Sequence, residues 1–317
     1  MKPFREQLMK MVFLLAACIS IAAVLLICLF LFANGIPAIG KIGVLDFLLG
    51  KTWLPSNGLF GIFPMILGSI YVTAGAILFG VPLGILAAVF MTYYCPAKLY
   101  KLLKPAVNLL AGIPSIVYGF FGLVVIVPLM QQLFGGSGKS ILTASILLGI
   151  MILPTIINVS ESSLRAVPET YFDGALALGA TRERAVFAVM LPAARSGVTT
   201  GVILGIGRAI GETMAVSMVA GNQTAMPGGI LSGVRTLTAN IVIEMGYAAD
   251  LHREALIATA VVLFVFILII NLIFSILKRK ENAWSQSTKR RRAKSGKAIK
   301  STRSPSCSSC SSPEPRS

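Results

Sequence analysis

Six long apolar runs, separated by shorter stretches where charge and turn residues collect, dominate the chain at 11–33, 60–91, 107–133, 141–160, 197–221 and 255–277. Each is near or above the roughly 20 residues that a helix needs to cross a bilayer, so the pattern predicts six transmembrane helices. The second run is interrupted by Gly80, Pro82 and Gly84, which predicts a tilt or kink. The first follows Lys2, Arg5 and Lys10, yet its apolar part is about twice a signal-peptide core, so it is expected to stay as an anchor.

Lysine and arginine are distributed unevenly between the connections. Lys2, Arg5 and Lys10, then Lys98, Lys101 and Lys104, then Arg165, Arg182, Arg184 and Arg195, and the basic tail all fall on one side. That side is expected to be the cytoplasm, with both termini inside and the fifth helix running outward. Composition agrees with a membrane protein: 56% of the 317 residues are hydrophobic and only 13% charged, with a mean hydropathy of +0.83. The expected fold class is all-α, a polytopic integral membrane protein.

The net charge of +16 resides largely in one segment, since twelve basic residues from Lys278 onward face only Glu281 and Glu314. This Ser-, Lys- and Arg-rich tail, 279–317, has no apolar period and is expected to be disordered beside anionic lipid headgroups. Nucleic-acid binding is not needed to explain it.

One run carries charges where lipid should be. Within 197–221, GVTTGVILGIGRAIGETMAVSMVAG, Arg208 lies about 16 Å along a helix from Gly197, close to the middle of a hydrocarbon core roughly 30 Å thick. Each such charge costs roughly 2.5–3.5 kcal/mol at that depth, so Arg208 and Glu212 must face protein or a wet cavity. A structural ion pair is the alternative, because residues four apart share a helix face. Against it, the cation precedes the anion, the weaker order, and a buried pair is often no better than apolar packing. Glycines 197, 201 and 205, then 207 and 211, are spaced four apart and should let neighbouring backbones approach. In the third run, Ser115 and Tyr118 follow Pro114 and can satisfy the carbonyl that the proline frees; in the fourth, Thr155 and Asn158 follow Pro154. These four are expected to line the walls around Arg208, with ordinary kinked packing as the alternative.

Other signals lead nowhere. Cys307 and Cys310 form a Cys-x-x-Cys without a second ligand pair, and GGSGKS at 135–140 lacks the first glycine of a phosphate-binding loop because that position is Leu133. His252 stands alone in an external loop. No catalytic constellation, metal site or cofactor site converges, so an intramembrane enzyme is not expected.

The connection 161–195 predicts two parts: a short helix at 162–167 stopped by Pro168, then two amphipathic halves broken at Gly179. Tyr171, Phe172, Leu176 and Leu178, with Val186, Phe187 and Met190, supply apolar surface suited to a soluble partner. Here Asp173-Gly174-Ala175, three residues, Gly179, nine residues, Val189, one residue, then Leu191-Pro192 resembles the coupling loop of ABC importer permeases. The family pattern has Glu-Ala-Ala and Ile where this chain has Asp173-Gly174-Ala175 and Val189; the spacing is intact.

Within that superfamily the chain is similar to the first permease subunit of high-affinity phosphate importers. The similarity is carried by AGIPSIVYGFFGL, LPAARSGVTTGVILGIGRAIGETMAVSMVAGN, RTLTANIVIEM and WLPSNGLFGIFPMILGSIYVT, which lie within a resemblance extending over roughly residues 45–277. The sister permease usually carries a proline soon after its Gly-Glu-Thr, where this chain has Met214-Ala215-Val216. The resemblance implies a five-helix MetI-like permease core, 59–278, preceded by the segment 1–58 with an extra helix. It implies that Arg208 and Glu212 serve phosphate passage and that 173–192 docks on an ATPase. The partners implied are a sister permease as heterodimer, two cytoplasmic ATPase subunits, a periplasmic phosphate-binding protein and membrane lipid. ATP hydrolysis would belong to the partner. A permease for molybdate or sulfate, or an ATP-independent secondary transporter, is the alternative.

Overall fold

A computed structural model describes the backbone of residues 2–301 and the side chains of 6–276 apart from Phe274. The tail expected from 279 onward lies outside the described side chains, and Cys307 and Cys310 lie outside the described residues. Apart from one two-stranded ribbon, the architecture is helical.

Helix α1, Lys2–Ile42, is apolar around its circumference and exposes most of it, as a lipid-facing span should. Only its later turns are seated on protein: a Cβ at Gly35 would come within 2.6 Å of Val261 on the last helix, α11 (Asp250–Ser301). Phe32 meets Phe264 edge-on at 5.9 Å, and Lys41 pairs with Glu254 at 2.7 Å. The ribbon β1 (Trp53–Leu54) and β2 (Leu59–Phe60) is antiparallel, with Trp53 opposite Phe60. It closes a core of Phe47, Ile62, Met65, Leu237 and Leu256.

The second span, α2, Phe63–Tyr94, runs through Pro82 without a break. Its glycines serve close packing: a Cβ at Gly80 or Gly84 would lie 2.8 Å from Ile152 or Ile156. The expected third span divides. An amphipathic helix α3, Ala97–Gly112, stops before Pro114, which disfavours helix for the residue preceding it; the spanning helix α4, Ser115–Phe134, starts afresh. Helix α5, Ile141–Arg165, begins where Ser140 Oγ accepts from Thr143 N at 3.2 Å. It is the most enclosed span, and Leu147, Leu148, Met151 and Ile152 fill the core with Val72, Val216 and Val219.

The short helix expected at 162–167 is the end of α5. After it come α6, Thr170–Ala177, and α7, Arg182–Ala193. Gly179 between them has φ +82°, a conformation that glycine adopts without a Cβ penalty. α7 bends by 72° into α8, Arg195–Gly211. Thus five described helices are long and apolar enough to cross a membrane, and a sixth if this bent pair is one span. The expected continuous helix through 197–221 is corrected: Glu212 is extended (ψ 131°), and the chain resumes helix only in α9, Met214–Val219. A last short helix, α10, Leu237–Glu244, precedes α11.

Candidate functional site

Arg208 occupies the last turn of α8 and Glu212 lies just past its end, so the two no longer share a helix face. The structural ion pair is not formed. Glu212 Oε1 instead accepts from Thr213 N at 3.1 Å and Ala215 N at 3.3 Å, capping α9, while its backbone carbonyl accepts from Thr238 Oγ1 at 3.1 Å. A carboxylate at a helix start answers unpaired N–H groups, which gives the break a local cause. Arg208 is half-buried and its Nη1 donates to Thr155 Oγ1 on α5 at 3.4 Å.

The glycines of α8 sort into two faces. A Cβ at Gly197, Gly201 or Gly205 would lie 2.0, 3.1 or 2.9 Å from Ser163, Val159 or Ile156 of α5, so this row is the helix contact. Gly207 and Gly211 meet nothing within 4 Å. They line, with Leu204, an open strip beside Arg208.

Tyr118 is buried and donates through its hydroxyl to Leu110 O at 2.8 Å. Leu110 is four residues before Pro114, so the phenol fills the place of the donor the proline lacks. Ser115 is half-buried at the start of α4. Asn158 does not join Arg208; its Oδ1 accepts from Lys104 Nζ of α3 at 2.8 Å.

That lysine belongs to a group which the sequence reading scattered among loops. Glu161, whose side chain is 2% exposed, accepts from Lys104 (2.7 Å), Arg165 (2.9 Å) and Tyr100 (2.6 Å). The hydrogen bond to Glu161, more than burial, raises the Tyr100 phenol above its ordinary range. Arg165 also lies over the Tyr100 ring at 4.7 Å.

On the α6–α7 hairpin, Tyr171, Leu176, Leu178 and Phe187 are exposed, Leu178 by 91%. Val186 and Met190 are corrected: both are buried, Val186 in a core with Ala88, Val89 and Leu164 against which Phe172 packs. Ala175 is buried, whereas Asp173, Gly174, Gly179 and Pro192 are exposed and Val189 and Leu191 half-buried. Phe172 stacks on Tyr93 of α2 at 6.1 Å, and Arg182 Nη2 donates to Tyr93 O. A polar cavity of about 400 Å³ lies here between Asp173, Arg182, Arg165 and Thr92. The hairpin is therefore tied to the ends of two spanning helices while presenting apolar side chains outward.

His252, alone in sequence terms, has company. With Trp53 Nε1 it meets Glu244 Oε2, both at 2.8 Å, and Arg235 pairs with Glu244 Oε1. Nothing local in the sequence signals a contact spanning 191 residues.

Residues 80–282 match the family model described as binding-protein-dependent transport system inner membrane component. The chain is 38% identical over 277 residues to the probable ABC transporter permease protein YqgH of Bacillus subtilis, covering 84% of this chain and 90% of that one. It is 36% identical over 261 residues to the phosphate transport system permease protein PstC of Mesorhizobium japonicum, covering 76% and 80%. Its fold is similar to that of the MetNI methionine ABC transporter in an inward-facing conformation, with a TM-score of 0.57 at 20% identity over 73% of this chain and 99% of that one.

Proposed function

We propose, from the premise that the chain belongs to the binding-protein-dependent transport system inner membrane component family, that it is a phosphate-importing permease subunit. Proteins of this family are multi-pass inner-membrane permeases of ABC importers and work with ATPase and substrate-binding partners. Phosphate is the reading favoured by the Mesorhizobium japonicum relative's name and by the chemistry around Arg208.

The observation that carries it is the state of that arginine. A planar guanidinium with five donors reaches one hydroxyl at 3.4 Å and borders an open strip of α8. A tetrahedral oxyanion suits its remaining donors, with the bidentate geometry that arginine favours. Glu212 has Oε1 engaged at the start of α9. Its other oxygen is suited to accept from a P–OH group. Phosphate keeps at least one proton at neutral pH and sulfate keeps none, so the same carboxylate repels sulfate. Ser115, Tyr118, Thr155 and Asn158 belong to the surrounding wall in this reading, Tyr118 through its hold on the break before α4.

Coupling falls to the hairpin. Asp173, Gly174, Ala175, Gly179, Val189, Leu191 and Pro192 form the docking element for one of two cytoplasmic ATPases. Its ties to Tyr93 and Leu164 give a push on the hairpin a route into α2 and α5. A sister permease completes the path on the open side of α8, and a periplasmic phosphate-binding protein delivers the anion. The hairpin side is the cytoplasm, and both termini lie there. ATP binding and hydrolysis then alternate outward and inward access through differential stabilisation of two states.

Two variants in vesicles containing the whole complex test this reading. Gly179→Pro imposes φ near −65° on a residue at +82°, and is expected to leave ATP hydrolysis running while phosphate uptake is lost; normal uptake contradicts docking by this turn. Glu212→Gln is expected to slow phosphate uptake and to weaken the exclusion of sulfate. Unchanged selectivity removes the role given to Glu212.

A further inference from the structure

Thr155, Asn158 and Ser162 recur at intervals of three and four residues and share one face of α5. All three are at least partly accessible, while Ile156, Ile157, Ser160 and Glu161 around them are buried. At about 1.5 Å per residue this polar stripe advances roughly 10 Å from Thr155 toward the hairpin. A cation flanks it at two levels. Arg208 reaches Thr155 from α8, and Lys104 reaches Asn158 at 2.8 Å from α3.

Lys104 is not a buried structural cation. Its side chain is 28% exposed, and two of the ammonium's three donors are taken, by Asn158 and Glu161. Nor is its charge cancelled locally, because Glu161 is shared between Lys104 and Arg165. Two cations and one carboxylate leave the group one positive charge in excess. An anion leaving Arg208 toward the hairpin meets the same stripe of hydrogen-bonding side chains and this surplus charge about one helical turn further on. Conduction needs contacts firm enough to receive the ion and weak enough to release it. Glu161, by competing for the ammonium, supplies the weakening.

We infer that Lys104 is a second contact site for the transported oxyanion, between Arg208 and the hairpin side of the membrane, with Glu161 as the counter-ion that limits residence there. The inference rests on the phosphate-permease reading above. Lys104 thereby sets turnover after the anion has passed Arg208, without affecting docking of the loaded binding protein.

The test uses the whole complex in vesicles and follows labelled inorganic phosphate. Lys104→Met alone would orphan a buried carboxylate, so the double variant Lys104→Met with Glu161→Gln removes both, which takes away the ammonium contact while Arg165 keeps the group at one positive charge. It is expected to keep the apparent KM for loaded binding protein while turnover falls about tenfold, with Lys104→Arg retaining most of the rate. Asn158→Asp gives a second, independent arm that leaves Lys104 and Glu161 in place. It adds a partner for the ammonium but repels the anion, so turnover is expected to fall about tenfold or more with no loss of thermal stability. Turnover within about twofold of wild type in either variant overturns the inference and makes Lys104 a structural partner of Glu161. Arg208→Gln, run alongside, separates the claims. If that variant transports normally, the phosphate path itself is removed; if it fails while the double variant works, only the second site is lost.

Discussion

Glu244 and Arg208 both carry charge inside the folded chain, and they differ in how completely their neighbours answer it. Glu244, 7% exposed, has both oxygens engaged by Trp53, His252 and Arg235, and Arg235 also reaches Asn240 and the Asn222 carbonyl. Its partners come from the ribbon, the segment before α10 and the start of α11, so the carboxylate fastens pieces distant in sequence. Arg208 instead reaches one hydroxyl and faces space on one side. A saturated charge fixes structure, because removing one member strands the others. An unsaturated charge retains donors for something that arrives, and its cost at membrane depth is tolerated where that visitor matters.

The contrast is sharpest in stability. Glu244→Ala leaves the partly buried Arg235 without its counter-ion and is expected to destabilise the protein by about 3 kcal/mol, read as a drop in the thermal midpoint in detergent. A midpoint close to wild type would mean that the cluster holds nothing together.

The two glycine faces of α8 extend the comparison at smaller scale. Gly205→Val drives its side chain into Ile156 and is expected to cost about 1–3 kcal/mol. Gly207→Ala meets nothing within 4 Å and relieves a helix-interior glycine, for an expected gain of about 0.5–1 kcal/mol. Equal responses at the two positions would erase the distinction between the packed and open sides.

Much of this was legible in the chain, for local reasons. The spanning runs announce themselves by hydropathy, and the four-residue spacing of Gly197, Gly201 and Gly205 marks the packed face of α8, whereas Gly207 and Gly211, spaced alike and expected to do the same, lie on its open side. The proline rule foresaw that a side chain near Pro114 would take the freed carbonyl, and Tyr118 does so at Leu110. The break at Gly179 is where a positive φ is required. The misses were long-range or hidden by apolar surroundings. Hydropathy reads through Glu212, where the helix stops because the carboxylate turns to cap α9. Val186 and Met190 read as outward surface because the periodicity of a short hairpin does not say which face meets α2 and α5. Lys104 and Glu161 read as ordinary loop charges, since nothing within either segment indicates that they meet across 57 residues.

The central claim is that the guanidinium of Arg208 stands beside a water-filled route where it meets an anion in transit. Arg208→Cys, in a chain whose five native cysteines are replaced by alanine, tests it when phosphate uptake is measured before and after treatment with a small cationic thiosulfonate reagent. The account predicts that the cysteine variant is folded but transports at about one-hundredth of the parent rate or less, that phosphate slows its labelling, and that attaching the cation restores part of the uptake. A cysteine that the reagent cannot reach from either face, or a variant that transports as its parent does, would contradict it.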